Sequence, residues 1–577
     1  MAWMSGLIQN GTCSCKAEDR VIPSLAASID ATVLITSRPW RMSQQPVKDT
    51  NINKYFELHG AVDINLLIEN VLNSLNETVT EKKTLEEFLR FVDIMKLKCL
   101  SSVPIITMLL VCLWFDGKPD SISLCDIYAY MIEMMFSRKD RHVPVVTQTD
   151  IQLPRCFKDK NCVQNNFNIV QTMAELAFTK LFSNDRTSFL VFKDVDILAQ
   201  DNLVFLLKSG ILRETKSASL IRRESRYSFI YKTVQEFLAA VHMHYNPDDI
   251  YRILTPFYEE NGETSDISEV FTFLCGLNIE LANELSAMIS NSLCLDNQSF
   301  TTERRVIQIQ KTIVSGYKEA KASQVLGIKL SQFSFDFSCT TDPEILDDLL
   351  SINKSNVRYI KTSTDNCPAK LQEVFCSSSE TLINVKIFST AGQFDLLACN
   401  SLRCLSIYGT KTTAIVVNTN RLIALDLNCV SKLVEYSILQ SFDGGLNELE
   451  HLKIRSITDI SLLRLILPQL IHLQYIAIDT GDLGDDALLL PRSMKRVELS
   501  KVKMSARSFK QMIGRMEERT EKNDDVTCKL LKCSVGPNSE YEAVISDVKR
   551  RADYCSDIGQ KYVSLTCQRF RAASRVE

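Results

Sequence analysis

Leu402-Arg403-Cys404-Leu405-Ser406-Ile407, or LRCLSI, has aliphatic residues at its first, fourth and sixth positions. Side chains alternate across a strand, so Leu405 and Ile407 share one face and Ser406 takes the other. The same spacing recurs in Leu382-Val385-Ile387, Leu422-Leu425-Leu427, Leu449-Leu452-Ile454, Leu473-Ile476-Ile478 and Met494-Val497-Leu499. Successive copies start 20, 20, 27, 24 and 21 residues apart. Val357-Arg358-Tyr359-Ile360 reads as an earlier, degenerate copy.

A period in the twenties with one short strand per unit is the pattern of leucine-rich repeats. No unit covers its own apolar face, so neighbours are expected to stack into a solenoid over about residues 331–577. Met504 to Met516 reads as a helix following one strand, and Glu540–Tyr554 as a helix that caps the array. Positions such as Arg403, Ser406, Glu450 and Lys453 are expected to face outward and carry ligand specificity, or to be plain solvent-facing residues.

The whole chain has 577 residues, enough for several domains. Apolar residues make up 45% and charged residues 24%, as in ordinary globular proteins, and the formal net charge is −4. That balance argues against nucleic acid as a partner. Nineteen cysteines are scattered, many in apolar runs (Cys99, Cys112, Cys275, Cys404, Cys429), which fits reduced, buried thiols and a cytoplasmic setting. Cys13-Ser14-Cys15 lacks a partner pair at zinc spacing. The longest apolar run, Val103–Phe115, is too short to span a bilayer and is expected to be a buried helix.

Upstream of the repeats the text changes twice. Ile64–Leu75 and Leu85–Ser137 show helical spacing, with Pro104 restarting a helix and Ser123 placed to cap the next. A helix near Ile169–Leu181, a strand Phe189–Phe192, a helix ending on Gly210, a strand from Ile211, a polar tip, a strand Tyr227–Tyr231 and a helix from Thr233 follow. That succession reads as a winged helix over 141–245, with helical segments at 85–140 and 246–330 on either side. Nearer the start, Ala31-Thr-Val-Leu-Ile-Thr-Ser-Arg38-Pro39-Trp40 is apolar on both faces, as in a central parallel strand, and ends on an arginine stopped by proline. Lys54–Gly60 reads as a second strand.

The segment ATVLITSRPW, Leu58-His59-Gly60, the later FIYKTVQEFLAA and the repeats resemble, in order and spacing, the NACHT-type NOD-like receptors. The resemblance covers nearly the whole chain. It implies an α/β and α multidomain architecture: the carboxyl part of a NACHT nucleotide-binding core over 1–84, a helical domain, a winged helix, a second helical domain and a leucine-rich-repeat solenoid. It also implies that Arg38 is a sensor arginine facing a nucleotide's terminal phosphate, in line with the fork of donors a guanidinium offers phosphate oxygens. Pro104 then matches a proline packing on adenine, though a helix-start proline explains it equally. Tyr231 stands where many members have a histidine that contacts ADP, and a phenol cannot become a cation there.

No G-x-x-x-x-G-K-[S/T] loop exists: the single Gly-Lys pair, Gly117-Lys118, is followed by Pro119. Phe189–Asp194 only imitates an acid-ending strand for Mg²⁺, and His242-x-His244 lies in helical text, where i and i+2 do not converge. The chain is therefore expected to begin inside a nucleotide-binding domain, to turn over no ATP and to hold no metal, although ATP or ADP is implied for the intact family. The resemblance implies a cytosolic innate-immune or stress sensor that acts by regulated homo-oligomerisation and recognition of protein or microbial ligands. A nucleotide-independent repeat scaffold or decoy is the other reading; ATPase activity returns only with a phosphate loop.

Overall fold

The computed structural model describes residues 63–94, 104–117, 122–137, 152–183, 190–193, 195–216, 225–254, 256, 267–292, 300–339, 342–363, 367–442, 447–457, 460–485, 488–520, 526–550, 554–559 and 562–567. ATVLITSRPW with Arg38, Lys54–Gly60, Cys99 and the tip 217–224 lie outside them. The chain divides into two units, Met1–Ile279 with Lys318–Leu326, and Glu280–Tyr317 with Gly327–Glu577.

Among the described residues helices dominate the first unit. Asp63 Oδ1 accepts the Leu66 amide at 3.0 Å and starts α1 (Ile64–Asn76), which buries Ile68 and Leu72. Next come α2 (Leu85–Ile94) and α3 (Pro104–Phe115), the latter with Pro104 in its first turn and Ile106, Leu109, Leu110, Val111 and Leu113 buried. Lys83 Nζ satisfies carbonyls at the end of α3, donating to Trp114 at 3.2 Å and Phe115 at 2.8 Å. Ser123 caps α4 (Leu124–Ser137) reciprocally: its Oγ accepts from Asp126 N at 3.1 Å and Asp126 Oδ2 accepts from Ser123 N at 3.1 Å.

Short α5 (Asn161–Asn165) leads into α6 (Phe167–Leu181), then α7 (Gln200–Ser209). Gly210, at φ +84°, closes α7 in the left-handed region and turns the chain into β1 (Leu212–Lys216). An antiparallel hairpin pairs β1 with β2 (Ser225–Phe229), and α8 (Lys232–Tyr245) and α9 (Ser268–Leu277) follow. The expected strand Phe189–Phe192 is reduced to one bridge, Phe192 to Tyr227, and Phe189 lies outside the described residues. Tyr128, Phe157, Phe237 and Phe273 make an aromatic core, with ring centroids 5.1 to 6.0 Å apart.

The second unit contains α10 (Ile279–Asn291, from Glu280 on) and α11 (Phe300–Ala322, to Tyr317), then a succession of strands. Along the chain these are β3 (Ser334–Asp336), α12 (Pro343–Asn353), β4 (Tyr359–Lys361), α13 (Pro368–Ser377), β5 (Asn384–Phe388), β6 (Gly392–Leu396), β7 (Cys404–Tyr408), β8 (Thr412–Val417) and β9 (Ala424–Asn428). After them come α14 (Lys432–Gln440), β10 (His451–Ser456), α15 (Ile460–Ile466), β11 (Tyr475–Asp482), β12 (Arg496–Ser500), β13 (Val502–Ser505), α16 (Ala506–Thr520), β14 (Val526–Leu531), β15 (Ser534–Gly536), α17 (Asn538–Arg550), β16 (Tyr554–Gly559) and β17 (Tyr562–Cys567).

One sheet runs β16-β17-β14-β12-β11-β10-β9-β7-β5-β4-β3, parallel from β3 to β14 and in chain order there; β17 and β16 close it antiparallel. The fold class is thus α/β with a parallel sheet. Its register gathers the LRCLSI pattern into columns. Val385, Leu405, Leu425, Leu452, Ile476 and Val497 pair side by side, and so do Ile387, Ile407, Leu427, Ile454, Ile478 and Leu499. All twelve are buried. At roughly 1.5–3 kcal/mol for each aliphatic side chain removed from water, these columns contribute substantially to the stability of the unit.

Several strands stop alike. Ser389, Gly409, Cys429, Lys501 and Lys532 follow β5, β7, β9, β12 and β14 directly and all have positive φ, from +51° to +94°. Ser389 N then donates to Tyr408 O at 2.7 Å, and Gly409 N to Asn428 O at 2.8 Å, tying each turn to the next strand. Gly409 has no substitute here, because a Cβ would meet Ser389 Oγ at 2.6 Å.

Three expectations need correction. Met504 lies within β13, and the helix after it starts at Ala506. The helix placed at Glu540–Tyr554 is α17, Asn538–Arg550; Tyr554 opens β16, because the chain turns there into a closing hairpin. Cys429 is exposed in its left-handed turn rather than buried.

Candidate partner-recognition face

The residue between the second and third apolar positions of each unit faces away from the buried columns. Across the sheet these residues form one row: Asp336, Lys361, Lys386, Ser406, Asp426, Lys453, Ala477, Glu498 and Lys529, each opposite the next. A second row two residues earlier holds Ser334, Tyr359, Asn384, Cys404, Ala424, His451, Tyr475 and Arg496. A charged and aromatic face on regular strands can present many groups to a partner at fixed spacing.

The face changes along its length. From β3 to β9 both rows are buried or nearly so: Asp336, Lys386, Ser406 and Asp426 are each at most 9% exposed. From β10 onward His451, Lys453 and Arg496 are exposed and Tyr475 is half-buried. Of the four expected specificity positions, Lys453 is exposed and Arg403 and Glu450 are half-exposed. Ser406 is the correction: it is buried, since Asp426 and Lys386 flank it in register. Arg403 is paired with Glu448.

The exposed end is internally braced. Tyr475 OH donates to Glu498 Oε2 at 2.7 Å, the Arg496 guanidinium lies 5.7 Å from the Tyr475 ring and pairs with Glu498, and the His451 ring lies tilted beside Tyr475 with centroids 5.8 Å apart. Arg455 bridges Asp479 at 3.4 Å and Asn428 Oδ1 at 3.0 Å. Burial and the neighbouring Glu498 push the Tyr475 phenol up. Burial alone would raise Glu498, but the Tyr475 hydrogen bond and Arg496 outweigh it and hold that carboxyl low. Asp426 is the reverse: burial raises it despite Lys453 and the Tyr408 OH, 3.1 Å from its Oδ2.

Of the three residues singled out for a nucleotide, Pro104 and Tyr231 fall within the described residues. Arg38 lies outside the described residues. Pro104 opens α3 and Tyr231 stands at the start of α8, its ring exposed, with no side-chain cap bond. Gln235, Glu236 and Phe237 are buried in α8, with Glu236 bound to Lys232 at 2.7 Å and Phe237 in the aromatic core, as packing residues would be. His242 Nε2 is 2.8 Å from Asp249 Oδ2, and its ring stacks on Phe178 at 4.7 Å. Among the described residues no group of His, Cys, Asp and Glu is placed to hold a metal ion, and no helix is long and apolar enough to cross a membrane.

Sequence reasoning missed Asp426, His451, Tyr475, Arg496 and Glu498 as members of one face. Their signal was present, because reading two columns of the repeat gives Lys386, Ser406, Asp426, Lys453, Ala477 and Glu498 in one and Asn384, Cys404, Ala424, His451, Tyr475 and Arg496 in the other. No protein-family model matches the chain, and no curated protein matches it.

Proposed function

We propose that this chain is a recognition protein of the NACHT and leucine-rich-repeat kind: a cytosolic innate-immune or stress sensor whose repeat face binds a protein or microbial ligand and whose upstream domains couple that binding to self-association. The observation that carries the reading is the register of the sheet. Nine parallel strands follow in chain order from β3 to β14, and the apolar positions of the six-fold sequence pattern meet in unbroken columns. Stacked leucine-rich repeats require this arrangement, and it leaves an outward face that is exposed for recognition from β10 onward.

A nucleotide-independent scaffold or decoy is the second reading, favoured by two residues-level facts. No phosphate-binding loop occurs in the 577 residues, and on the family resemblance Tyr231 would stand where many members have a histidine that contacts ADP. Titration with fluorescent ADP and ATP separates the two: micromolar binding that Arg38→Ala weakens supports a nucleotide-gated sensor, and no binding supports the scaffold. The recognition claim common to both is tested with Lys453→Glu/Tyr475→Ala. Partners retained from cytosolic extract by the unsubstituted chain should be lost by this variant at an unchanged melting temperature. An identical set of partners would sink the reading.

A further inference from the structure

α11 covers the first strands of the recognition face through two contacts. Gln310 closes the free edge of β3, its Nε2 donating to Asp336 O at 2.9 Å and its Oε1 accepting from Asp336 N at 2.7 Å. Seven residues earlier Glu303 binds Lys386 Nζ on β5 at 2.5 Å. Seven helical residues rise roughly 10 Å, about two strand spacings, so α11 crosses the strands rather than following one.

The cover is an imperfect fit. Ser334 Oγ, Asn384 Oδ1 and Asp426 Oδ1, on β3, β5 and β9 of the same face, are buried without a hydrogen-bond partner. Each of these side chains is more than nine-tenths buried. Native proteins rarely leave several buried polar atoms of one face unpaired, because desolvation is then uncompensated. The charges are also unbalanced without the helix. Lys361 and Lys386 stand directly opposite each other, a repulsive arrangement. Asp336 neutralises Lys361 at 3.2 Å, while the counter-ion of Lys386 comes from outside the strands, from Glu303. Lys453 adds a further cation beside Asp426, whose carboxyl burial raises above the usual range.

We infer that Glu303 holds the place of a partner's carboxylate, and that the Lys361–Lys386–Lys453 stretch of the face docks an acidic polypeptide segment that displaces the amino-terminal turns of α11. The segment's carboxylates replace Glu303 on Lys386, and its backbone N–H groups supply the donors that Asn384 and Asp426 lack. The inference rests on the recognition reading above and adds the chemistry of the partner and the internal competitor.

The test uses fluorescent decaglutamate and anisotropy on the full chain. Glu303→Gln should bind the peptide about tenfold tighter than the unsubstituted chain, since a charge-assisted internal competitor is gone. Adding Lys386→Met to Glu303→Gln should abolish that gain. In the unsubstituted chain, which avoids any folding defect of the variants, saturating decaglutamate should speed amide exchange over 303–310 while β5 stays protected. Equal affinity for Glu303→Gln and the unsubstituted chain, or unchanged exchange in α11, overturns the inference. If Lys453→Glu still weakens the peptide in that case, the recognition face survives and only the competitor is lost. Peptide binding indifferent to all these substitutions removes both.

Discussion

At Gly276 in α9, an added Cβ would lie 2.8 Å from Cys125 Sγ, from Glu319 Oε1 and from Ser323 Oγ. Three buried neighbours cannot all retreat, so Gly276→Ala should cost about 1–3 kcal/mol as overpacking, read as a lower urea midpoint. Gly514 in α16 is the control, because nothing lies within 4 Å of its added Cβ. There alanine should stabilise by roughly 0.5–1 kcal/mol, the helix-propensity difference. Glu319, beside Gly276, receives the Leu124 and Cys125 amides at 2.8 and 2.9 Å and so closes the start of α4. Burial raises its carboxyl above the usual 4.5, against the pull of those two amides. A folded-state value above the unfolded one means that the folded chain binds the proton more tightly. The contribution of Glu319 is therefore full below pH 4.5 and is lost as pH rises through the raised value. Glu319→Gln removes that dependence. The stability difference between the native chain and the variant, from urea melts at pH 4.5, 6 and 7.5, should shrink toward higher pH; a constant difference would contradict the assignment.

Elements show where the sequence was explicit and where it was not. The cap of α4 was readable because Ser123 and Asp126 sit three apart before an apolar run, and Ser123→Ala should cost about 1 kcal/mol in thermal unfolding. Pro104 and Gly210 marked a helix start and a helix end through their backbone restrictions alone. β5, β7, β9, β10, β11 and β12 were legible because each carries three aliphatic positions. β3 was not: Gln332 replaces the first aliphatic residue, buried and held through Asn353 Oδ1 at 3.1 Å. β14 was missed because only Cys528 and Leu530 of its pattern are apolar, with Asp525 at the first position. The left-handed turns at Ser389, Cys429, Lys501 and Lys532 escaped because these residue types do not advertise positive φ. The candidate face was half legible. Alternation assigns an outward row, but only three-dimensional packing decides that Ser406 is covered and Lys453 is not.

Across the second unit the parallel strands pair with chain neighbours almost throughout, so each unit's apolar positions are covered mainly by the units on either side. A one-dimensional stack of this kind frays from its ends, and its middle is protected from both sides. Leu425 and Leu427 on β9 lie near that middle, fully enclosed between β7 and β10. Leu425→Ala removes three carbons from a column with little room to collapse and should cost about 2–5 kcal/mol. The distribution of the damage is the sharper expectation. In native-state hydrogen exchange the unsubstituted chain should show its slowest amides in β7, β9 and β10, with protection falling toward β3 on one side and toward the closing β17 and β16 on the other. In Leu425→Ala the loss should be greatest in β7, β9 and β10 and diminish strand by strand outward. Exchange that accelerates equally in all nine parallel strands would mean that the sheet opens only as a whole, and the description as stacked, locally coupled repeats would then be wrong.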